Sequence, residues 1–225
     1  MKRSSLLSAI LCLAAVSGWT AAGKTAVRTP VEVADALDGA RTLEIRIPNA
    51  NLELTGGDSA GVKAAGTMET LHQDPARAYL LAQGCGLVFR REGSTLVLEP
   101  RYPDGALGRE ARKGRLWFHL RLEVPSSLPF GLYSDAGDVV LKGPFGASLV
   151  VEAGHGDIRL EFTPAFREVD ARTMAGRVRG FPETAMKRFY CPFGQRRLWL
   201  NPAGERTAYL KTHRGDITLQ GKDTQ

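Results

Sequence analysis

From Arg41 onward the chain alternates apolar and polar positions with a period of two. Leu43, Ile45 and Ile47 lead into a Pro48-Asn49 turn, and Leu52 and Leu54 resume the alternation beyond it. This is the spacing of strands that bury one face. Gly56-Gly57-Asp58 marks the next turn, and 62–70 continue as a strand. Residues 87–90 and 95–99 pair across Glu92-Gly93-Ser94, and a long strand from Trp117 ends at Pro125. One helix interrupts the pattern. Asp74 suits the N-cap, Pro75 the first helical position and Gly84 the end, and Leu80 and Leu81 supply a small apolar face. Residues 100–115 break the rhythm with Pro100, Pro103, Asp104-Gly105 and Gly108, and read as an exposed basic loop.

Beyond Pro125 the chain repeats itself. Gly137-Asp138-Val139-Val140-Leu141 recurs as Gly156-Asp157-Ile158-Arg159-Leu160 and as Gly215-Asp216-Ile217-Thr218-Leu219. Looser copies stand at Gly176-Arg177-Val178-Arg179 and at Gly194, which leads into Leu198-Trp199-Leu200. The five glycines are spaced by 19, 20, 18 and 21 residues. That period predicts an all-β fold: a single-stack β-solenoid, β-helix-like, with rungs of about 20 residues and one short α-helix. One unit cannot bury its apolar face alone. Stacking at about 4.8 Å would align Val139, Ile158, Val178 and Ile217 into an inward ladder. Gly137, Gly156 and Gly215 would supply positive φ at the corners. Asp138, Asp157 and Asp216 would accept backbone N–H groups within their own turns.

These repeats, preceded by Leu122-Glu123-Val124-Pro125 and by Ile47-Pro48-Asn49-Ala50-Asn51-Leu52-Glu53-Leu54, carry a family resemblance. The chain resembles the bacterial toastrack-type proteins, exported or envelope-associated β-solenoid domains of unknown function that are often labelled adhesins. The resemblance covers residues 41–220. The Gly176 and Gly194 units depart from it, with arginine or glutamine where aspartate is expected, and 100–115 reads as an insertion. The resemblance implies an adhesin-like envelope protein and brings no catalytic residues with it.

Composition narrows the setting. Hydrophobic residues make up 43% of the 225, enough to bury a real core, so wholesale disorder is excluded. Lys2 and Arg3, an apolar run from Leu6 to Val16, and small residues up to Ala22 form an export signal with a cut before Gly23. The run is short for a membrane span. Cys12 lies inside it, behind Leu11, which does not suit lipid attachment. The expected organisation is a cleaved signal over 1–22, a lead-in over 23–40 and the β-solenoid domain over 41–221, in an exported protein of the periplasm or cell surface. Losing Lys2 and Arg3 lowers the formal net charge from +6 to +4, too mild and dispersed for a nucleic-acid partner. Cys85 and Cys191 then remain. They would either close a disulfide, worth about 4–5 kcal/mol by chain entropy, or stay as two buried thiols. The disulfide is the expectation.

Few residues carry chemistry. Asp138 and Asp157 could offer oxygen ligands to calcium, but their column continues as Arg177, so turn capping is expected and no metal. His155 and His213 lie close in sequence to Asp157 and Asp216, without a nucleophile or oxyanion site to complete a catalytic set, and read as solvated turn residues. In Arg214-Gly215-Asp216 the Gly-Asp pair already belongs to the repeat. Arg101, Arg109, Arg112, Lys113 and Arg115 form a candidate polyanion-binding set. Lys187, Arg188, Arg196 and Arg197 interleave with Phe189, Tyr190, Phe193 and Trp199, where strand alternation would turn the aromatics inward.

The function expected is a non-catalytic interaction, scaffold or sensor module, with no cofactor. Its partner would be an envelope protein or an anionic polysaccharide or lipid surface, and open solenoid ends would allow self-association. The competing expectation is a polysaccharide lyase or hydrolase. It requires Asp138, Asp157, Arg159 and Arg177 to line one deep groove, and a flat solvated strip there speaks against it.

Overall fold

The computed structural model describes residues 17–21, 24–162, 166–180, 186–191 and 194–221. The chain begins with β1 (Ser17–Ala21), β2 (Lys24–Asp35), β3 (Thr42–Arg46), β4 (Ala50–Gly57) and β5 (Val62–His72), followed by helix α1 (Pro75–Gly84). It continues through β6 (Gly86–Glu92), β7 (Thr95–Arg101), helix α2 (Gly105–Ala111), β8 (Leu116–Pro125), β9 (Phe130–Ala136) and β10 (Val139–Lys142). Then come β11 (Leu149–His155), β12 (Ile158–Phe162), β13 (Phe166–Ala175) and β14 (Val178–Arg179). Last are β15 (Met186–Cys191), β16 (Gly194–Leu200), β17 (Arg206–Arg214) and β18 (Ile217–Gly221). Among the described residues the strands form two nine-stranded sheets. The first runs β1-β2-β5-β8-β4-β10-β12-β18-β14, and the second β15-β16-β13-β17-β11-β9-β3-β7-β6.

Five strand–corner–strand units join the sheets. The chain leaves the second sheet as β3, β9, β11, β17 or β13, turns a corner, and enters the first as β4, β10, β12, β18 or β14. The five lie parallel and in the same order in both sheets. Register puts Leu43, Phe130, Leu149, Ala208 and Val169 in one row of the second sheet and Ile45, Leu132, Val151, Leu210 and Ala171 in another. In the first sheet Leu52, Val139, Ile158, Ile217 and Val178 align. All are buried, so the period-two alternation becomes one core between the sheets. Each large aliphatic side chain buried there contributes about 1.5–3 kcal/mol.

The single-stack solenoid does not describe this arrangement. Units that follow one another in sequence are not stacked in sequence: the Gly215 corner sits between those of Gly156 and Gly176. The Gly194 copy makes no corner, because Gly194 starts β16, which runs antiparallel between β15 and β13. Antiparallel strands also flank the parallel centre, with β1, β2 and β5 beside β8 in one sheet and β6 beside β7 in the other. The result is two open mixed sheets, not a closed coil of successive rungs. Residues 24–35, read from the sequence as part of a lead-in, form the long strand β2.

The expected helix is present, and a second accompanies it. In α1 the Asp74 carboxylate accepts the Ala76 N–H at 2.9 Å. The helix buries Ala78, Leu81 and Ala82, while Leu80 turns outward. Thr70 on β5 donates its hydroxyl to the Ala78 carbonyl at 3.0 Å, tying the helix to the first sheet. α2 lies within the segment read as a basic loop. Gly108 makes it possible: a Cβ there would sit 1.9 Å from the carbonyl oxygen of Pro103, so only glycine lets the helix pack on its own lead-in.

Candidate functional site

The corners are linked by a continuous series of side chain–to–backbone bonds. Asn51 Oδ1 accepts the Asp138 N–H at 3.0 Å, and Asp138 Oδ1 accepts the Asp157 N–H at 2.9 Å. Asp157 Oδ1 accepts the Asp216 N–H at 2.8 Å, and Asp216 Oδ1 accepts the Arg177 N–H at 2.7 Å. Behind Asn51, its Nδ2 meets His119 Nδ1 at 3.2 Å. Each side chain thus serves the neighbouring corner, not its own turn as the sequence suggested. Asn51 heads the series without belonging to a Gly-Asp repeat.

This arrangement does not assemble the set that the enzyme reading needs. Asp216 separates Asp157 from Arg177, and one oxygen of each aspartate is committed to the backbone. Asp138, Arg159 and Arg177 lie exposed along the strip of corners. His155 faces Arg214 across the β11–β17 register, and both are exposed, as is His213. Among the described residues no group of three or more His, Cys, Asp or Glu side chains is placed to hold a metal ion.

The basic set comes together around α2. Arg101 ends β7, Arg109 lies in the helix, Arg112 and Lys113 follow it, and Arg115 leads into β8. All but Arg115 are exposed. Arg112 stacks over the Tyr102 ring at 5.0 Å. Among the described residues none of the five is paired with a carboxylate. Glu110, which lies among them, is engaged elsewhere. It accepts from His72 Nε2 at 2.5 Å and from Arg77 at 3.2 Å. His72 Nδ1 accepts the Asp74 N–H at 2.8 Å, which leaves the ring proton on Nε2 for Glu110. Burial pushes the Glu110 carboxyl up, and the bonds from His72 and Arg77 outweigh it, holding it below its ordinary value. Four basic side chains of the sheet faces differ from this cluster. There Lys63 pairs with Glu32, Lys142 with Glu53, Lys211 with Glu152 and Arg90 with Glu99, all between neighbouring strands.

A further charged cluster went unmarked by the sequence. Asp170 on β13 receives two arginines, Arg172 through Nη2 at 2.6 Å and Arg196 of β16 through Nη2 at 2.9 Å. The Arg172 guanidinium lies 5.2 Å from the Tyr209 ring centroid. Arg172 stands opposite Arg196 in the antiparallel register, which is why one carboxylate serves both. The Asp-x-Arg spacing puts Asp170 and Arg172 on one face of a strand, a signal the sequence carries weakly. Trp199, expected to turn inward, is buried. The side chains of Lys187, Arg188, Phe189, Tyr190 and Phe193 lie outside the described residues.

Cys85 is a buried free thiol between α1 and β6, while Cys191 ends β15 and its side chain lies outside the described residues. β6 and β15 are opposite edges of the second sheet, eight strand steps apart. At about 4.8 Å per step the strand order separates them by about 38 Å along the sheet. It does not bring together the pair expected to form a disulfide, whose Cα atoms must lie within about 7 Å.

No family model matches the chain, and no curated protein matches it. Two solved structures are similar to it. One is described as a "putative cell adhesion protein" from Clostridium sporogenes, at 10% identity and a TM-score of 0.47, covering 86% of this chain and 100% of that one. The other is a "putative adhesin" from Bacteroides fragilis, at 10% identity and a TM-score of 0.24, covering 86% of this chain and 97% of that one. Both are partial likenesses of shape at low identity. Among the described residues no helix is long and apolar enough to cross a membrane.

Proposed function

We propose that the protein is a non-catalytic, adhesin-like interaction module of the cell envelope that contacts an anionic polymer or lipid surface through the cluster around α2. One observation carries this reading. Lys63, Arg90, Lys142 and Lys211 of the sheet faces are matched to carboxylates on neighbouring strands, whereas Arg101, Arg109, Arg112 and Lys113, close in sequence around α2, are exposed without a carboxylate partner among the described residues. Glu110, which would offset them, is held by His72 and Arg77. Helix α1, joined to α2 through the Arg77–Glu110 ion pair, exposes Tyr79 and Leu80. Cations with an aromatic and an aliphatic side chain suit a polyanionic surface. Arg115, just before β8, is half-buried.

The test is co-sedimentation with phosphatidylglycerol vesicles and, separately, retention on immobilised alginate, with phosphatidylcholine vesicles as the neutral control. Binding at low salt should weaken by about tenfold or more when Arg109, Arg112 and Lys113 are changed together to glutamate, and should fall with rising ionic strength. Unchanged binding by that variant, or no binding to either anion at low salt, overturns the reading.

A further inference from the structure

Strand β1 belongs to the segment expected to leave with the export signal. It forms the edge of the first sheet, antiparallel to β2, with Ser17 opposite Arg28, Trp19 opposite Ala26 and Ala21 opposite Lys24. The expected cut before Gly23 falls between the two strands in sequence and removes β1 whole. The edge it leaves, Lys24–Arg28, belongs to a strand that stays firmly held. β2 pairs with β5 from Thr25 to Asp35, and Val27 is buried in a cluster with Ala78 and Ala82 of α1. The backbone groups that served β1 then stand open, a template for another extended segment.

Charge decides which segment fits. Alternation puts Lys24, Ala26 and Arg28 on one face of β2. Lys24 is exposed, and Arg28 is 42% exposed although it bonds Glu69. Cutting before Gly23 adds an α-ammonium one residue from Lys24. A second copy of this edge, docked antiparallel about Ala26, would set Lys24 against Arg28 twice, like charges directly opposed. A strand with carboxylates at the positions held by Ser17 and Ala21 would place one acid opposite Arg28 and one opposite Lys24. We propose that removal of the signal opens the Lys24–Arg28 edge as a docking site for an extended acidic segment of a partner protein, added antiparallel to the first sheet. This site is separate from the α2 cluster, and its failure would leave that cluster's reading untouched.

The experiment uses the exported protein, its N-terminus sequenced, and two end-capped peptides in the register of β1: Glu-Gly-Trp-Thr-Glu and Lys-Gly-Trp-Thr-Lys. Fluorescence anisotropy of the labelled peptide and hydrogen exchange of the 24–28 amides report binding. The expected results are an N-terminus at Gly23, protection of those amides by the acidic peptide, and a preference of about tenfold or more over the basic one. Lys24→Glu should abolish most of that preference, since Arg28 remains, and Lys24→Glu combined with Arg28→Glu should reverse it. The uncut full-length chain, made without export, should bind neither peptide because β1 already holds the edge. A retained β1 in the exported protein, equal binding of the two peptides, no protection by either, or equal binding by the uncut chain overturns the proposal.

Discussion

The carboxylate of Asp138 accepts the backbone N–H of Asp157 at 2.9 Å, joining corners that lie 19 residues apart in sequence. Asp157 then does the same for Asp216, and Asp216 for Arg177. The bond needs one acceptor oxygen and no charge, as Asn51 shows at the head of the series. Asp157→Ala leaves the Asp216 N–H without its partner and should cost about 1–2 kcal/mol. Asp157→Asn should keep most of that stability. Urea unfolding of the two variants separates these outcomes, and equal losses would show that the bond does not set the cost.

Close stacking of the corners makes a second, larger demand. Gly156 has φ +134°, and a Cβ there would lie 2.2 Å from the carbonyl oxygen of Gly137. Gly93, in the β6–β7 turn, has φ +61° and nothing within 4 Å of the same position. Gly93→Ala therefore carries only the backbone term, about 1 kcal/mol, or about 2–4 °C in Tm for a chain of this size. Gly156→Ala must also push two strands apart. It should lower Tm by at least about three times as much, or fail to accumulate as folded protein. Equal losses at the two sites would mean that the approach of Gly156 to Gly137 is not tight.

The local half of this fold was legible in the sequence. Alternation at Leu43, Ile45, Leu52 and Leu54 marked strands that are present, and Asp74-Pro75 marked the start of α1. The repeats at 137, 156 and 215 marked three corners that do stack. What the repeats could not give is the order of stacking. Strand pairing is non-local, and nothing in Gly215-Asp216-Ile217 states that it enters between Gly156 and Gly176. The Gly194 copy misled for the same reason, since a glycine before an alternating strand suits an antiparallel edge as well as a corner. Asn51 was hidden because an amide replaces the aspartate. Helix α2 was hidden because its glycines read as breakers, although Gly108 is the residue that lets it pack. The basic set of 101–115 was legible as charge, whereas the capture of Glu110 by His72 and Arg77 depends on bringing β5, α1 and α2 together.

Asp170 should govern part of the acid stability. Burial pushes its carboxyl up, but the bonds and charges of Arg172 and Arg196 prevail and hold it below its ordinary value. A carboxyl depressed in the folded state stabilises the protein above its unfolded pKa of about 3.9, and that contribution is lost as pH falls through the folded value. Asp170→Asn removes the contribution and leaves two guanidinium groups facing each other. The variant should be less stable than the parent near neutrality, and the gap should narrow below about pH 4. Arg196→Ala should fall between the two, since Arg172 still holds the carboxylate. Thermal unfolding across the acid range gives the comparison, and parallel curves with a constant offset would refute this role.

Cys85 gives a chemical check on the order of strands in the second sheet. Burial pushes its thiol up to about 11, against a smaller opposing pull from Arg101. The thiolate is the reactive form, so in the folded protein Cys85 should react with iodoacetamide at least about a hundredfold more slowly than after unfolding in urea. The expected cut before Gly23 would remove Cys12 and leave two cysteines, Cys85 and Cys191. Because β6 and β15 are opposite edges, both cysteines should alkylate in urea without reductant, counted by mass spectrometry. If neither alkylates until reductant is added within a single chain, the two are bonded, and one edge of the second sheet must fold back onto the other. Slow folded-state reaction combined with two thiols in urea is the pattern that this strand order requires.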